Sequence, residues 1–199
     1  STYGCYFLTE SDEAPMEFSK VTLQPTTDVV YTSYNDYALY EKEKKSLCSY
    51  GRVLVDNDVF AHSQGGRGRS YNFSVAGAVE GNAVVDLSFA TGGETASKVS
   101  VLYKDAAGSA QVGLLNVGYV VSGEVGKIAE GSFVLPGGVK EGHSFVLVHQ
   151  VTDNSLMGYL DFLRLNYKRS LALRGSSTLF RGGSSGNGSG GMGSTPGIY

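Results

Sequence analysis

The sequence predicts an all-β protein: an antiparallel two-sheet sandwich, jelly-roll-like, with one short helix near the N-terminus. Three observations predict it. Gly at 28, Tyr at 13 and Phe at 9, set against 4 Pro, suit short strands joined by tight turns, whereas glycine destabilises helix interiors. From Tyr71 onward apolar and polar residues alternate with period two. Turn residues follow nearly every alternating run, with no helical pattern between them, as expected of two packed antiparallel sheets. A length of 199 residues suits one domain with one core. Three parts are expected within it: residues 1–70 as N-terminal strands, helix and loop packing on the sandwich, 71–181 as the sandwich core, and 182–199 as a Gly/Ser-rich linker or loop.

Taken in order, Gly4 to Thr9 is aromatic and β-branched and ends at the acidic turn Ser11-Asp12-Glu13, so it reads as an opening strand. Val29 to Ser33 reads as a second. Asn35-Asp36 then offers a helix cap before Tyr37, Leu39, Tyr40 and Leu47, with the charges of residues 41–45 between them and Gly51 as a stop. This is the predicted helix. A Gly/Arg-rich loop over residues 65–69 precedes the alternating region. Strands are expected at residues 71–75, 83–89 and 98–103, and further ones at 111–116, 117–122, 131–135, 144–150, 159–167 and 178–181. The stretch from Gly182 to Gly193 is almost wholly Gly and Ser, with too little apolar surface to offset the entropy of ordering it.

Composition also removes function classes. A net charge of −3 supplies no field for neutralising phosphates, so nucleic acid is not an expected partner. No apolar run approaches the roughly 20 residues that cross a bilayer as a helix, so no membrane span is expected. Cys5 and Cys48 are the only cysteines. They fit a disulfide in an oxidising compartment or two buried thiols anywhere. Neither has the neighbours in sequence that mark a nucleophile. His143 and His149 lack a third ligand, so no zinc site is predicted, and no cofactor is expected.

Three groups remain as candidate binding residues. Asp161 and Arg164 lie on the run 159–167 and fit a contact surface or a structural cation such as Ca, which hard oxygen ligands hold in some jelly rolls; the plainer reading is pairing across the sheet. Arg67 and Arg69 stand among glycines, where guanidinium groups and backbone N–H groups both favour an anion; the plainer reading is a solvated loop. Tyr34, Tyr37 and Tyr40, three residues apart, share one face if helical, and offer a platform for sugar stacking or a face that packs the helix on the sandwich. Strict alternation would set Tyr159, Asp161, Leu163, Leu165 and Tyr167 on one face of their strand and Leu160, Phe162, Arg164, Asn166 and Lys168 on the other.

The run Gly158-Tyr-Leu-Asp-Phe-Leu-Arg-Leu-Asn-Tyr-Lys-Arg169, followed by Leu171 and Leu179-Phe180-Arg181, resembles a strand ahead of the catalytic domain in gingipain-like sortases. These are the PorU-type cysteine peptidases of the type IX secretion system in Bacteroidetes. Shorter words stand in the same order: Tyr6-Phe7-Leu8-Thr9, Tyr40-Glu41-Lys42-Glu43, Ser49-Tyr50-Gly51-Arg52 and Tyr71-Asn72-Phe73-Ser74-Val75. The resemblance implies a non-catalytic domain of a secreted cysteine endopeptidase, placed at the outer membrane or cell surface. Its partners would be the downstream peptidase domain of the same chain and secreted cargo proteins or cell-surface glycan. The His and Cys of that family's dyad lie downstream of this region, so no catalytic residue is carried over. A carbohydrate-binding module and a surface adhesion or scaffold domain are the rival readings.

Overall fold

The computed structural model describes residues 31–47, 53–62, 66–121 and 124–173. The chain divides into two compact units, Ser1–Val30 and Tyr31–Tyr199. The described residues all belong to the second. The predicted strands at residues 4–9 and 178–181, both cysteines and the Gly/Ser-rich stretch lie outside the described residues.

All described secondary structure is β. The strands are β1 (Ser33–Glu41), β2 (Lys45–Ser46), β3 (Leu54–Val55), β4 (Val59–Phe60), β5 (Gly68–Tyr71), β6 (Ala83–Gly92), β7 (Ser97–Asp105), β8 (Gly108–Val117), β9 (Lys127–Leu135), β10 (Ser144–Gln150) and β11 (Met157–Ser170). One sheet runs β1-β11-β6-β9, with β4 pairing beside it on β11; the other runs β5-β10-β7-β8. Every pairing among the described residues is antiparallel. The pairs β1/β11, β5/β10, β6/β9 and β7/β8 are nested, as if one long hairpin had been rolled into two sheets. That nesting is the jelly roll, and it confirms the predicted class.

The sheets meet over one apolar interior. Val85, Leu87, Phe89, Leu160, Leu163 and Leu165 come from one sheet and Val99, Val101, Phe145 and Leu147 from the other, all of them fully buried. Alternation produces this directly, since every second residue of β6, β7 and β10 projects inward. A smaller cluster of Val55, Val59, Ala61, Ala90 and Tyr159 forms where the segment carrying β3 and β4 covers one end of the outer face of the first sheet.

The predicted helix over residues 35–47 is absent. Ser33 to Glu41 is instead the edge strand β1, paired with β11 from Ser33↔Ser170 to Glu41↔Phe162. Tyr34, Asp36, Ala38 and Tyr40 project to the less exposed side and Asn35, Tyr37, Leu39 and Glu41 to solvent. A period of two was present, but Asp36 on the inner side and Tyr37 and Leu39 on the outer side hid it. Asp36 is tolerated there because Arg169 donates to its Oδ2 at 2.9 Å. The charges at residues 42–44 fall in the connection beyond the strand.

Candidate functional site

The outer face of the first sheet is a grid of side chains set by the strand register. Three rows cross β1, β11, β6 and β9: Tyr37–Asn166–Val84–Val134, Leu39–Arg164–Asp86–Ser132 and Glu41–Phe162–Ser88–Glu130. Direct neighbours across strands have Cβ atoms about 5 Å apart, and successive rows lie about 7 Å apart.

The middle row is held by Asp86. Its Oδ2 accepts from Arg164 Nε at 3.0 Å, Arg164 Nη2 at 2.8 Å and Asn166 Nδ2 at 2.8 Å, while Oδ1 accepts from Ser132 at 2.6 Å. Burial opposes ionisation of Asp86, but the bonds from Ser132, Arg164 and Asn166 outweigh it and hold the carboxyl below its ordinary value. Arg164 is therefore paired across the sheet.

Asp161 is the extra residue of a bulge, where the register with β6 shifts between Leu160 and Phe162. The bulge revises the expected faces of this strand. Leu160 joins Leu163, Leu165 and Tyr167 in the main core, while Tyr159 belongs to the outer cluster. Asp161 Oδ2 accepts from Ser88 Oγ at 2.7 Å. Asp161 and Arg164 thus have separate partners, and among the described residues no group of three or more His, Cys, Asp or Glu is placed to hold a metal ion.

Arg67 and Arg69 both turn into the protein. Arg67 donates to the carbonyls of Leu156 at 3.1 Å and Asn154 at 3.0 Å, tying β5 to the loop before β11. Arg69 donates to Asp58 at 3.0 Å and to the carbonyls of Val59, Gly66 and Gly68, with its guanidinium over the Phe60 ring. These bonds fasten the covering segment to the sandwich.

The three tyrosines do not share a face. Tyr34 is buried and Tyr40 half-buried on the inner side; Tyr40 Oη donates to Asp56 at 2.7 Å and its ring meets Tyr71 edge-on at 4.7 Å. Only Tyr37, 41% exposed, faces outward. It borders a cleft of about 340 Å³ with Asn35, Val84, Asn166 and Lys168, and with Asn82 just before β6. Asn35, Asn82, Asn166 and Lys168 escaped sequence reasoning as site residues, because only the register of three strands brings them together. A second cleft, of about 660 Å³, lies along the start of β8 and the end of β9, with Lys140 and Asp105 paired at 3.2 Å beside it.

His143 and His149 are buried in separate places. His143 stacks between Phe73 and Tyr103 and its Nδ1 lies 2.6 Å from the Lys140 carbonyl. His149 Nε2 lies 3.0 Å from Ser97 Oγ, and burial pushes its pKa down to about 4. Among the described residues no helix is long and apolar enough to cross a membrane.

Fold and face together define a jelly-roll domain whose outer sheet surface carries a polar ladder and a small cleft. No protein-family model matches the chain, and no curated protein matches it in sequence. Among solved structures it is similar to the crystal structure of dimeric latent PorU from Porphyromonas gingivalis, with a TM-score of 0.59 and 15% identity. The match covers 82% of this chain and 15% of that one, so the chain spans a small part of that protein's length. At this identity the likeness concerns the fold.

Proposed function

We propose that this chain is a non-catalytic jelly-roll domain of a secreted gingipain-like cysteine peptidase of a type IX secretion system, where it positions the peptidase or contacts cargo. On this reading it resides outside the cytoplasm, at the outer membrane or cell surface. The observation that carries the reading is the match to part of PorU over 82% of the chain. It agrees with the sequence run Gly158 to Arg169, which falls on β11. That strand pairs with β1, β4 and β6. Two of the described histidines fit a structural part, since His143 and His149 are buried and packed among aromatic rings.

The test has two arms. The reading frame beyond Tyr199 should encode an α/β domain with a His and Cys pair, and the purified chain should hydrolyse no peptide substrate. A stop codon there, or thiol-dependent proteolysis by this chain alone, would overturn the reading.

A further inference from the structure

We infer that the cleft at the Tyr37 end of the first sheet is a binding site for an acidic saccharide, taking one carboxylated sugar ring. This does not rest on the peptidase reading and would hold whether or not a peptidase follows.

The cleft is built from three adjacent strands. Asn35 stands opposite Lys168, and Tyr37 opposite Asn166, which is in turn opposite Val84. Asn82, two residues before Val84, lies on the same side by alternation. The grid spans about 10 Å by 7 Å, and the volume of about 340 Å³ is at the small end for ligand sites.

Its chemistry is specific in three respects. Asn35 and Asn82 are exposed, and among the described residues neither side-chain amide has a partner. An amide offers both donors and acceptors, which matches a sugar hydroxyl that is itself both. The Tyr37 ring supplies an exposed aromatic surface beside them, and Val84 an apolar floor, as the C–H face of a pyranose requires. Finally, the charges do not cancel. Asp36, which also borders the cleft, is matched by Arg169 at 2.9 Å, whereas Lys168 is exposed and no carboxylate pairs with it among the described residues. The surplus is one cation, next to amides rather than within a basic patch. A carboxylate on a hydroxyl-rich ring satisfies that set, whereas an apolar peptide would leave the amides and the ammonium group unmatched.

The experiment is titration calorimetry on the full chain with three acidic probes, a galacturonic acid trisaccharide, a hyaluronan tetrasaccharide and sialyllactose, and with galactotriose as the neutral control. At least one acidic probe should bind with a Kd of about 1 mM or tighter, roughly tenfold better than galactotriose. Lys168→Gln should abolish that preference. Tyr37→Ala should weaken binding about tenfold and Tyr37→Phe should retain it, while the melting transition of Lys168→Gln stays unchanged because that side chain faces solvent. Absence of binding by all three acidic probes, equal binding of galactotriose, or binding indifferent to both Lys168→Gln and Tyr37→Ala would each overturn the assignment.

Discussion

Arg164 of β11 and Asp86 of β6 stand directly opposite one another, and both Nε and Nη2 of the arginine donate to the same carboxylate oxygen, at 3.0 and 2.8 Å. The two residues are not equivalent in consequence. Asp86→Ala removes the acceptor shared by Arg164, Asn166 and Ser132, and should cost about 1–3 kcal/mol. Arg164→Ala leaves the carboxylate its bonds from Asn166 and Ser132 and should cost less, about 1 kcal/mol or below. Urea unfolding of both variants checks the order. Because the Asp86 pKa is lowered on folding, its contribution is present above the ordinary value of 3.8 and is lost as pH falls through the lower folded value.

Gly158 opens the β11 run with no room for a side chain. A Cβ there would stand 2.5 Å from Phe89 Cζ and 2.7 Å from His149 Nδ1. Phe89 is fully buried and packs edge-on against Phe60 at 5.1 Å, so the ring cannot move aside freely. Gly158→Ala should destabilise by about 1–3 kcal/mol, read as a lowered midpoint of denaturant unfolding.

His149 makes stability depend on acid in a window separate from that of Asp86. Its folded pKa of about 4 lies below the 6.5 of the free side chain. The neutral form is the one the fold holds, so the stabilisation is complete above pH 6.5 and is lost as pH falls from 6.5 to about 4. The full effect is about 3 kcal/mol. Unfolding free energies measured across that window should fall in the native chain and fall by less in His149→Gln.

Much of the fold was legible because burial on one face writes itself into alternation. The runs of β6, β7 and β10 are half-buried strands with clean apolar sides, and β10 spans the predicted residues 144–150. Where both faces carry apolar groups the signal blurs, which is why β1 read as a helix. The strand expected at 71–75 is displaced to Gly68–Tyr71, because the bonds of Arg67 and Arg69 anchor the segment before it. Residues 117–122 read as a strand, yet β8 ends at Val117. The bulge at Asp161 left no mark in the pattern, and so the faces of β11 were half misassigned. The candidate site was the least legible part. Arg67, Arg69 and Arg164 are unusual as residues but have internal partners, whereas Asn35, Asn82 and Lys168 are unremarkable alone and acquire meaning only through register.

Tyr40 and Asn35, on opposite sides of β1, give opposite expectations. Tyr40 Oη is bonded to Asp56, whose side chain is 1% exposed, so Tyr40→Phe strips a buried carboxylate of a donor and should cost about 1–3 kcal/mol. Asn35→Ala, on the solvent side, should stay within about 0.5 kcal/mol of the parent. Thermal melts of the two single variants separate the cases.

The pairing of β1 with β11 determines which residues face solvent and which close the sandwich, and nuclear Overhauser contacts across that pair test it most directly. Ala38 and Leu165 are register partners, as are Leu39 and Arg164. Backbone contacts between these residues are the predicted result. Sequential helical contacts along residues 35–47, with none to residues 162–170, would contradict the account.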